Sequence, residues 1–121
     1  MRSLLAAAIM ASAIASPADA FLAQNGMRVE ATAADGFAVP RSRHSGVAAF
    51  WCAAGDYAIR ALGVNPGTRI YRYSAPPRRS GEGIVFGFDP SRAQSTGLLR
   101  LQGGPGVIAA HARTMCARFD R

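Results

Sequence analysis

The fold of this protein is decided by the segment SGVAAFWCAAGDYAIRALG, residues 45–63. Apolar side chains recur there at every third or fourth position, namely at Val47, Phe50, Trp51, Ala54, Ala58 and Leu62. This spacing places them on one face and predicts an amphipathic helix over residues 45–62. Ser45 is suited to cap the first turn, and Gly63 stands where a left-handed residue commonly ends a helix.

Two features inside this helix predict its surroundings. Gly55 weakens a helix by up to about 1 kcal/mol relative to alanine, so we expect a neighbouring element to pack closely against it. Asp56 and Arg60 are four residues apart and are predicted to form an exposed ion pair.

Strands are predicted from alternating patterns on both sides of the helix. Residues 27–33 and 37–39 alternate and flank Asp35-Gly36, which favours a hairpin with a type I′ turn. The residues of the first strand that share its apolar face are Met27, Val29, Ala31 and Ala33. Further strands are predicted at residues 69–74, 84–89 and 98–102.

The alternation also assigns faces in two of these strands. In residues 69–74, Tyr71 and Tyr73 share one face, and Ile70 and Arg72 share the other. The buried face of residues 84–89 is predicted to hold Ile84, Phe86 and Phe88.

A second amphipathic helix is predicted over residues 107–119. Its apolar stripe is Ile108, Ala112, Met115 and Phe119, and its exposed residues are Arg113, Thr114 and Arg118. Together the patterns predict one α+β domain, with about five short antiparallel strands and two helices packed on one face.

Residues 1–20 have the pattern of a secretory signal peptide. A positive start is followed by the apolar run Leu4–Ile14 and by the small triplet Ala18-Asp19-Ala20, which predicts cleavage after Ala20. An eleven-residue run is about 16 Å long as a helix, too short for a bilayer core of about 30 Å. We therefore expect a periplasmic or secreted product, residues 21–121, with no membrane span and a net charge still at +7.

Cys52 and Cys116 both lie in the exported part. An even count in an oxidising compartment indicates one disulfide, which would close a loop of about 64 residues and contribute roughly 4 kcal/mol. Two alternatives stay open: a Cys–His nucleophile that uses His44 or His111, and a zinc site made by the same four residues. The apolar neighbours of Cys52 and the His–Cys spacings favour neither alternative.

A signature-like run is formed by Phe50-Trp51-Cys52-Ala53-Ala54-Gly55-Asp56-Tyr57-Ala58. With Arg69-Ile70-Tyr71 and Gly83-Ile84-Val85-Phe86 downstream, it resembles a family of small exported bacterial proteins that have one disulfide and no assigned function. The resemblance spans residues 35–119. It implies export and the disulfide, and it adds no activity.

Arginine is the residue type with the strongest bearing on ligand chemistry. All 14 basic residues are arginine and the formal net charge is +7. Arg41, Arg43, Arg78 and Arg79 form two close pairs, which make an anion-binding patch if the fold joins them, because guanidinium groups pair with phosphate and carboxylate. The alternative is codon bias in a GC-rich genome, which the 25 alanines favour.

Three other patterns are explained without a ligand. Residues 104–109 match a dinucleotide-binding fingerprint, but too few residues follow for a βαβ unit, so no cofactor is expected. The acidic residues show no close pair of the kind that glycoside hydrolases use. The larger aromatic residues, Trp51, Tyr57, Tyr71 and Tyr73, are expected mainly in the core, with the last two the better candidates for a groove.

The sequence therefore favours a small exported binding or interaction domain that is not an enzyme. The alternative is an anion- or polyanion-binding module, and an enzyme of unknown type is the third interpretation. The expected partner is an unknown protein or an envelope polyanion such as lipopolysaccharide, because export argues against nucleic acid. No metal is expected.

Overall fold

Six short strands form one antiparallel sheet in the computed structural model, which describes residues 20–32, 35–42, 46–79, 81–98 and 104–119. The strands are β1 (Phe21–Leu22), β2 (Arg28–Ala31), β3 (Phe37–Val39), β4 (Arg69–Arg72), β5 (Ile84–Gly87) and β6 (Val107–Ile108). Their order across the sheet is β1-β2-β3-β5-β4-β6, and every neighbouring pair is antiparallel.

Two helices pack with this sheet. Helix α1 (Val47–Asp56) continues directly into a π-helical turn, Tyr57–Ala61. Helix α2 (Ala109–Thr114) tightens into a 3-10 turn over Met115–Phe119, and a separate 3-10 turn spans Pro90–Arg92. The predicted α+β fold is confirmed, with six strands in the described part rather than five.

Helix α1 forms the centre of the core. All of its residues from Ala49 to Asp56 are buried. Towards the sheet, Trp51 packs edge-on against Phe86 with ring centroids 4.8 Å apart. Towards α2, a Cβ on Gly55 would lie 2.7 Å from the backbone nitrogen of Arg113, which confirms the predicted close packing. Burial on both sides is consistent with the small residues Ala53, Ala54 and Gly55 in α1, which permit α2 to approach closely.

The predicted disulfide links the two helical segments. Cys52 in α1 and Cys116 in the turn after α2 are joined with an Sγ–Sγ distance of 2.06 Å, and both residues are buried. The bridge therefore fixes α2 against α1 in addition to the packing at Gly55.

The first hairpin exists, but its turn differs from the prediction. Strands β2 and β3 pair with Ala31 opposite Phe37. Gly36 does not have a positive φ, so the type I′ turn predicted at Asp35-Gly36 is wrong. The N–H of Thr32 donates to the carbonyl of Gly36 at 2.9 Å, so the connection is longer than a two-residue turn. Ala31, predicted to face the core, is exposed because it is the last residue of β2 before this loop.

The faces of the two central strands are as predicted. Ile70, Ile84 and Phe86 are buried, while Phe88 is half-buried because β5 ends before it, at Gly87. The predicted strand over residues 98–102 lies outside the described residues except for Leu98, which belongs to a bend.

The start of α1 differs from the prediction, whereas its end agrees. The helix begins at Val47, and its capping residue is Gly46, which has no side chain to cap the first turn. The predicted cap, Ser45, lies outside the described residues. Gly63 has a φ of +68°, as predicted for the residue that ends the helical segment.

The second helix begins later than predicted. Val107 and Ile108, assigned to the helix by their spacing, pair instead with Ile70 and Arg69 as β6. This pairing satisfies the backbone groups on the open edge of β4, which favours a strand over two more helical residues.

The predicted signal peptide lies almost wholly outside the described residues, which begin at Ala20. No helix in the described part of the chain has the length and apolar character that are needed to cross a bilayer.

Candidate anion-binding site

The strand order brings four arginines to one end of the sheet. Strands β3 and β4 are both antiparallel to β5, which lies between them, so their carboxyl ends point the same way. Arg41 follows β3, Arg72 ends β4, and the loop from β4 to β5 contains Arg78 and Arg79. These four arginines and the first turn of α1 are called the basic end below.

Arg72 is buried at the centre of the basic end and is 1% exposed. Its Nε donates to the carbonyl of Ser74 at 2.7 Å, and its Nη1 donates to the carbonyl of Thr96 at 3.4 Å. No carboxylate among the described residues forms an ion pair with it, and Nη2 finds no acceptor among them. A guanidinium has five N–H donors, and the hydrogen bonds to described residues use two of them.

Arg72 and the first turn of α1 are near neighbours across Gly97. A Cβ at Gly97 would lie 2.5 Å from Nη1 of Arg72 and 3.4 Å from Cγ1 of Val47. No side chain of the described residues caps this end of α1. The N–H of Ala49 donates to the carbonyl of Gly46 at 3.0 Å, and the first turn as a whole is the positive end of the helix dipole.

Arg78 brings another guanidinium to the same turn. Its Cζ lies 4.7 Å from the centroid of the Phe50 ring, and its Nη1 donates to the backbone carbonyl of Glu82 at 3.0 Å. Burial, together with the positive charge of Arg78, lowers the pKa of Arg72 below its ordinary value. The two cations are therefore close enough to repel each other.

Three of the four arginines that the sequence predicted as anion-binding residues lie in the described part of the chain. Arg41 and Arg79 are exposed and Arg78 is half-buried, whereas Arg43 lies outside the described residues. Sequence reasoning did not propose Arg72 as a site residue. The available signal was its place beside Ile70 on the apolar face of β4, where a charged residue is unusual.

Asp56 is a second buried charge, at the point where α1 passes into the π-helical turn. Its carboxylate accepts hydrogen bonds from Nε and Nη2 of Arg60 at 2.8 and 2.6 Å, and from the N–H of Gln24 at 2.9 Å. Nε of Arg113 on α2 adds an ion pair at 3.2 Å. Burial raises the pKa of Asp56, but the hydrogen bonds from Arg60 and Gln24 outweigh it and hold the pKa below its ordinary value.

The predicted pairing of Asp56 with Arg60 is confirmed, but its predicted exposure is wrong. Asp56 is completely buried because α2 and the segment around Gln24 cover the face that the spacing assigned to solvent. Arg113, predicted to be exposed, is half-buried for the same reason.

A mostly apolar cleft of about 360 Å³ lies beside this network. Its lining includes Gln24, Ile59, Ala110, Arg113 and Cys116. Gln24 and Arg113 are already bonded to Asp56, and Cys116 is in the disulfide. The cleft therefore offers shape and apolar surface, and its described side chains do not pair a nucleophile with a base.

The cysteines do not form either of the alternative sites. Their disulfide removes both thiols as nucleophiles and as zinc ligands. His111 is exposed on α2, and His44 lies outside the described residues. Within the described ranges, no group of three potential metal ligands is found.

The four aromatic residues divide as the sequence predicts. Trp51 and Tyr57 are buried, and Nε1 of Trp51 donates to the carbonyl of Thr96 at 3.0 Å. Tyr71 and Tyr73 are half-buried. Tyr73 is already engaged, because its ring packs against a guanidinium and its hydroxyl accepts from a backbone N–H at 2.8 Å.

No protein-family model, curated protein or solved structure matches this chain. The resemblance to small exported bacterial proteins stays a prediction. Function is therefore inferred from the basic end itself.

Proposed function

We propose that the protein is a non-enzymatic binding domain that acts outside the cytoplasm and recognises an anionic partner through the basic end. The observation that carries the proposal is the grouping of four arginines with an uncapped helix N-terminus at one end of the sheet. Glu82 is the one acidic residue in the two segments that connect these elements, residues 40–46 and 73–83.

The charge of the sheet is asymmetric. Asp35 lies in the connection from β2 to β3, and Asp89 follows β5, so both belong to the opposite end, where they offset the charges of Arg69 and Arg92. With a formal net charge of +7, the protein attracts polyanions from a distance, and this asymmetry favours approach at the basic end.

An anionic polymer or surface of the cell envelope is the partner class that fits this arrangement. Arg41 and Arg79 are exposed and can each form paired hydrogen bonds with a phosphate, sulfate or carboxylate group. The buried disulfide supports a location outside the cytoplasm, where disulfide bonds persist.

Heparin serves as the polyanion probe in the test. Binding is measured over a range of salt concentrations for the wild type and for Arg41→Gln/Arg79→Gln. The matched control is Arg69→Gln/Arg92→Gln, which removes the same charge from the opposite end, where β4 begins and β5 has ended. Loss of two contacts is expected to reduce the slope of log affinity against log salt by about 2 in the first variant and to change it little in the control.

Two results would overturn the proposal. Absence of heparin binding at about 50 mM salt would show that the basic end does not recognise polyanions. Equal losses in the two double variants would show that the arginines act only through net charge, as codon bias would produce.

A further inference from the structure

The cleft beside the Asp56 network has a lining that suits the apolar part of a small ligand. Its apolar lining residues are Ile59, Pro66, Ala110 and Ala117, and Cys116 adds the surface of the disulfide. The volume of about 360 Å³ falls within the range of about 300–1,000 Å³ that is typical of sites for small molecules. A hydrocarbon group that enters the cleft is stabilised in proportion to the apolar area that leaves water.

Three polar side chains complete the described lining, and two of them already donate within the protein. Nε2 of Gln24 donates to the carboxylate of Asp56 at 3.3 Å, and the hydroxyl of Thr114 donates to the carbonyl of His111 at 2.6 Å. The third is Arg113, whose Nε pairs with Asp56 at 3.2 Å. No described residue accepts from its Nη1 or Nη2, so four N–H donors of this guanidinium are available to a ligand.

The charges beside the cleft do not cancel. Asp56 carries one negative charge, and Arg60 already donates to both of its oxygens at 2.8 and 2.6 Å. Arg113 brings a second positive charge to the same carboxylate, so these three residues have a surplus of one positive charge. No acidic residue is present in the described lining. A ligand with one negative charge therefore complements the cleft.

We infer that the cleft binds an aliphatic monocarboxylate, with its carboxylate on Arg113 and its hydrocarbon chain against Ile59, Ala110 and the disulfide. Nη1 and Nη2 of Arg113 can hold both oxygens of one carboxylate through two parallel hydrogen bonds. A phosphate monoester carries about −1.5 to −2 at pH 7 and exceeds the surplus charge, which favours the carboxylate.

The cleft is separate from the basic end. Gln24 and Arg113 of its lining are bonded to Asp56, the last residue of α1, whereas the basic end includes the first turn, which begins at Val47. The helix between them is about 14 Å long. Binding of a monocarboxylate here goes beyond the proposed function and does not depend on it.

The test is a titration of the oxidised full chain with octanoate at neutral pH and constant ionic strength, followed by backbone amide NMR. Octanoate is kept below the concentration at which it forms micelles. Saturable shifts are expected at Ile59, Ala110 and Ala117. Acetate has the charge without the chain and octanol has the chain without the charge, so each is expected to bind at least about 10-fold more weakly.

The anchoring role of Arg113 is tested by substitution. Arg113→Gln is expected to weaken octanoate binding by roughly 10- to 100-fold, the effect of losing a hydrogen bond to a charged group. Arg92→Gln is the matched control, because Arg92 also pairs with a carboxylate, that of Asp35 at 3.6 Å, but does not line the cleft. Its loss is expected to leave octanoate affinity unchanged.

A second pair of variants fills the cleft without changing its charge, because Arg113 also supports Asp56 and its loss affects folding. Ala117→Trp places a large side chain at an exposed position of the lining and is expected to abolish octanoate binding. Ala61→Trp is the matched control, since Ala61 is exposed but lies outside the lining. This variant is expected to bind octanoate as wild type does.

Four results would overturn the site. They are shifts that do not saturate, shifts at Val47 and Ala48 in place of the cleft residues, equal affinities for octanoate and octanol, and equal weakening by Arg113→Gln and Arg92→Gln. Undiminished binding by Ala117→Trp would exclude the cleft as the location. If octanoate saturates the cleft and heparin does not bind, the proposed function is wrong and the cleft site stands.

Discussion

Replacing Asp56 with asparagine is expected to lower the free energy of unfolding by about 2–4 kcal/mol. The substitution keeps the size and one acceptor oxygen but removes the charge that faces Arg60 and Arg113, whose nitrogens lie 2.6 and 3.2 Å from it. Breaking a buried ion pair costs about 3–5 kcal/mol. The expected cost is about 1 kcal/mol below that range because the side chains of Arg60 and Arg113 are 45% and 38% exposed and regain water as a partner.

The assay is urea unfolding of the oxidised protein, followed by the fluorescence of Trp51. Asp35→Asn is the matched control, since the ion pair of Asp35 with Arg92 spans 3.6 Å and both side chains are about half exposed. Its loss is expected to change stability by about 0–1 kcal/mol. A change of that same size for Asp56→Asn would refute the assignment of Asp56 as a compensated buried charge.

The same substitution predicts a change in acid sensitivity. The folded-state pKa of Asp56 lies below its ordinary value of 3.8, so its contribution is fully present above the unfolded-state pKa and is lost as pH falls through the folded-state pKa. Wild type should therefore lose stability more steeply than Asp56→Asn in acid, until the two converge. A constant difference in urea midpoint from about pH 6 to pH 2 would contradict this.

Two further changes test how α1 is held. The double substitution Cys52→Ala/Cys116→Ala is expected to lower the free energy of unfolding by roughly 4 kcal/mol, because the disulfide joins residues that are 64 apart in the sequence. A decrease of less than about 1 kcal/mol in urea unfolding would contradict this expectation. Gly55→Ala is expected to destabilise by about 1–3 kcal/mol despite the better helix propensity of alanine, because its Cβ would lie 2.7 Å from the backbone nitrogen of Arg113. Gly46→Ala is the control, because a Cβ there would meet no described atom within 4 Å apart from its chain neighbours, and its thermal midpoint should be close to that of wild type.

Periodicity predicts the elements that are long enough to show it. Helix α1 has about three turns of apolar spacing, and strand β4 and the first three residues of β5 alternate between buried and more exposed positions. Strands β1 and β6 have two residues each, too few for any period. They are strands because of the neighbours with which they pair, which is tertiary information that a local pattern does not contain.

The lack of tertiary information in a local pattern also explains why Asp56 was predicted to be exposed. Helical spacing assigns the residues opposite the main stripe to solvent, but α1 is covered on that side as well. The small residues around Asp56, Ala53, Ala54 and Gly55, were the available signal, because small residues on the second face of a helix permit another helix to approach. The four-residue spacing correctly predicted Arg60 as the ion-pair partner of Asp56, because that contact lies within one helical turn.

Arg72 illustrates why a search for clusters of charged residues along the sequence can miss a buried arginine. The close pairs along the chain pointed to Arg41, Arg43, Arg78 and Arg79, all in connecting segments, whereas Arg72 stands on the apolar face of a strand. Its chemistry depends on burial and on the absence of a described carboxylate, and both follow from the strand order rather than from sequence neighbours. The partners of Arg72 are the carbonyl oxygens of Ser74 and Thr96, and the second of these is 24 residues away in the sequence. Only the folded chain brings that partner to Arg72, so no pattern of neighbouring residues could have predicted it.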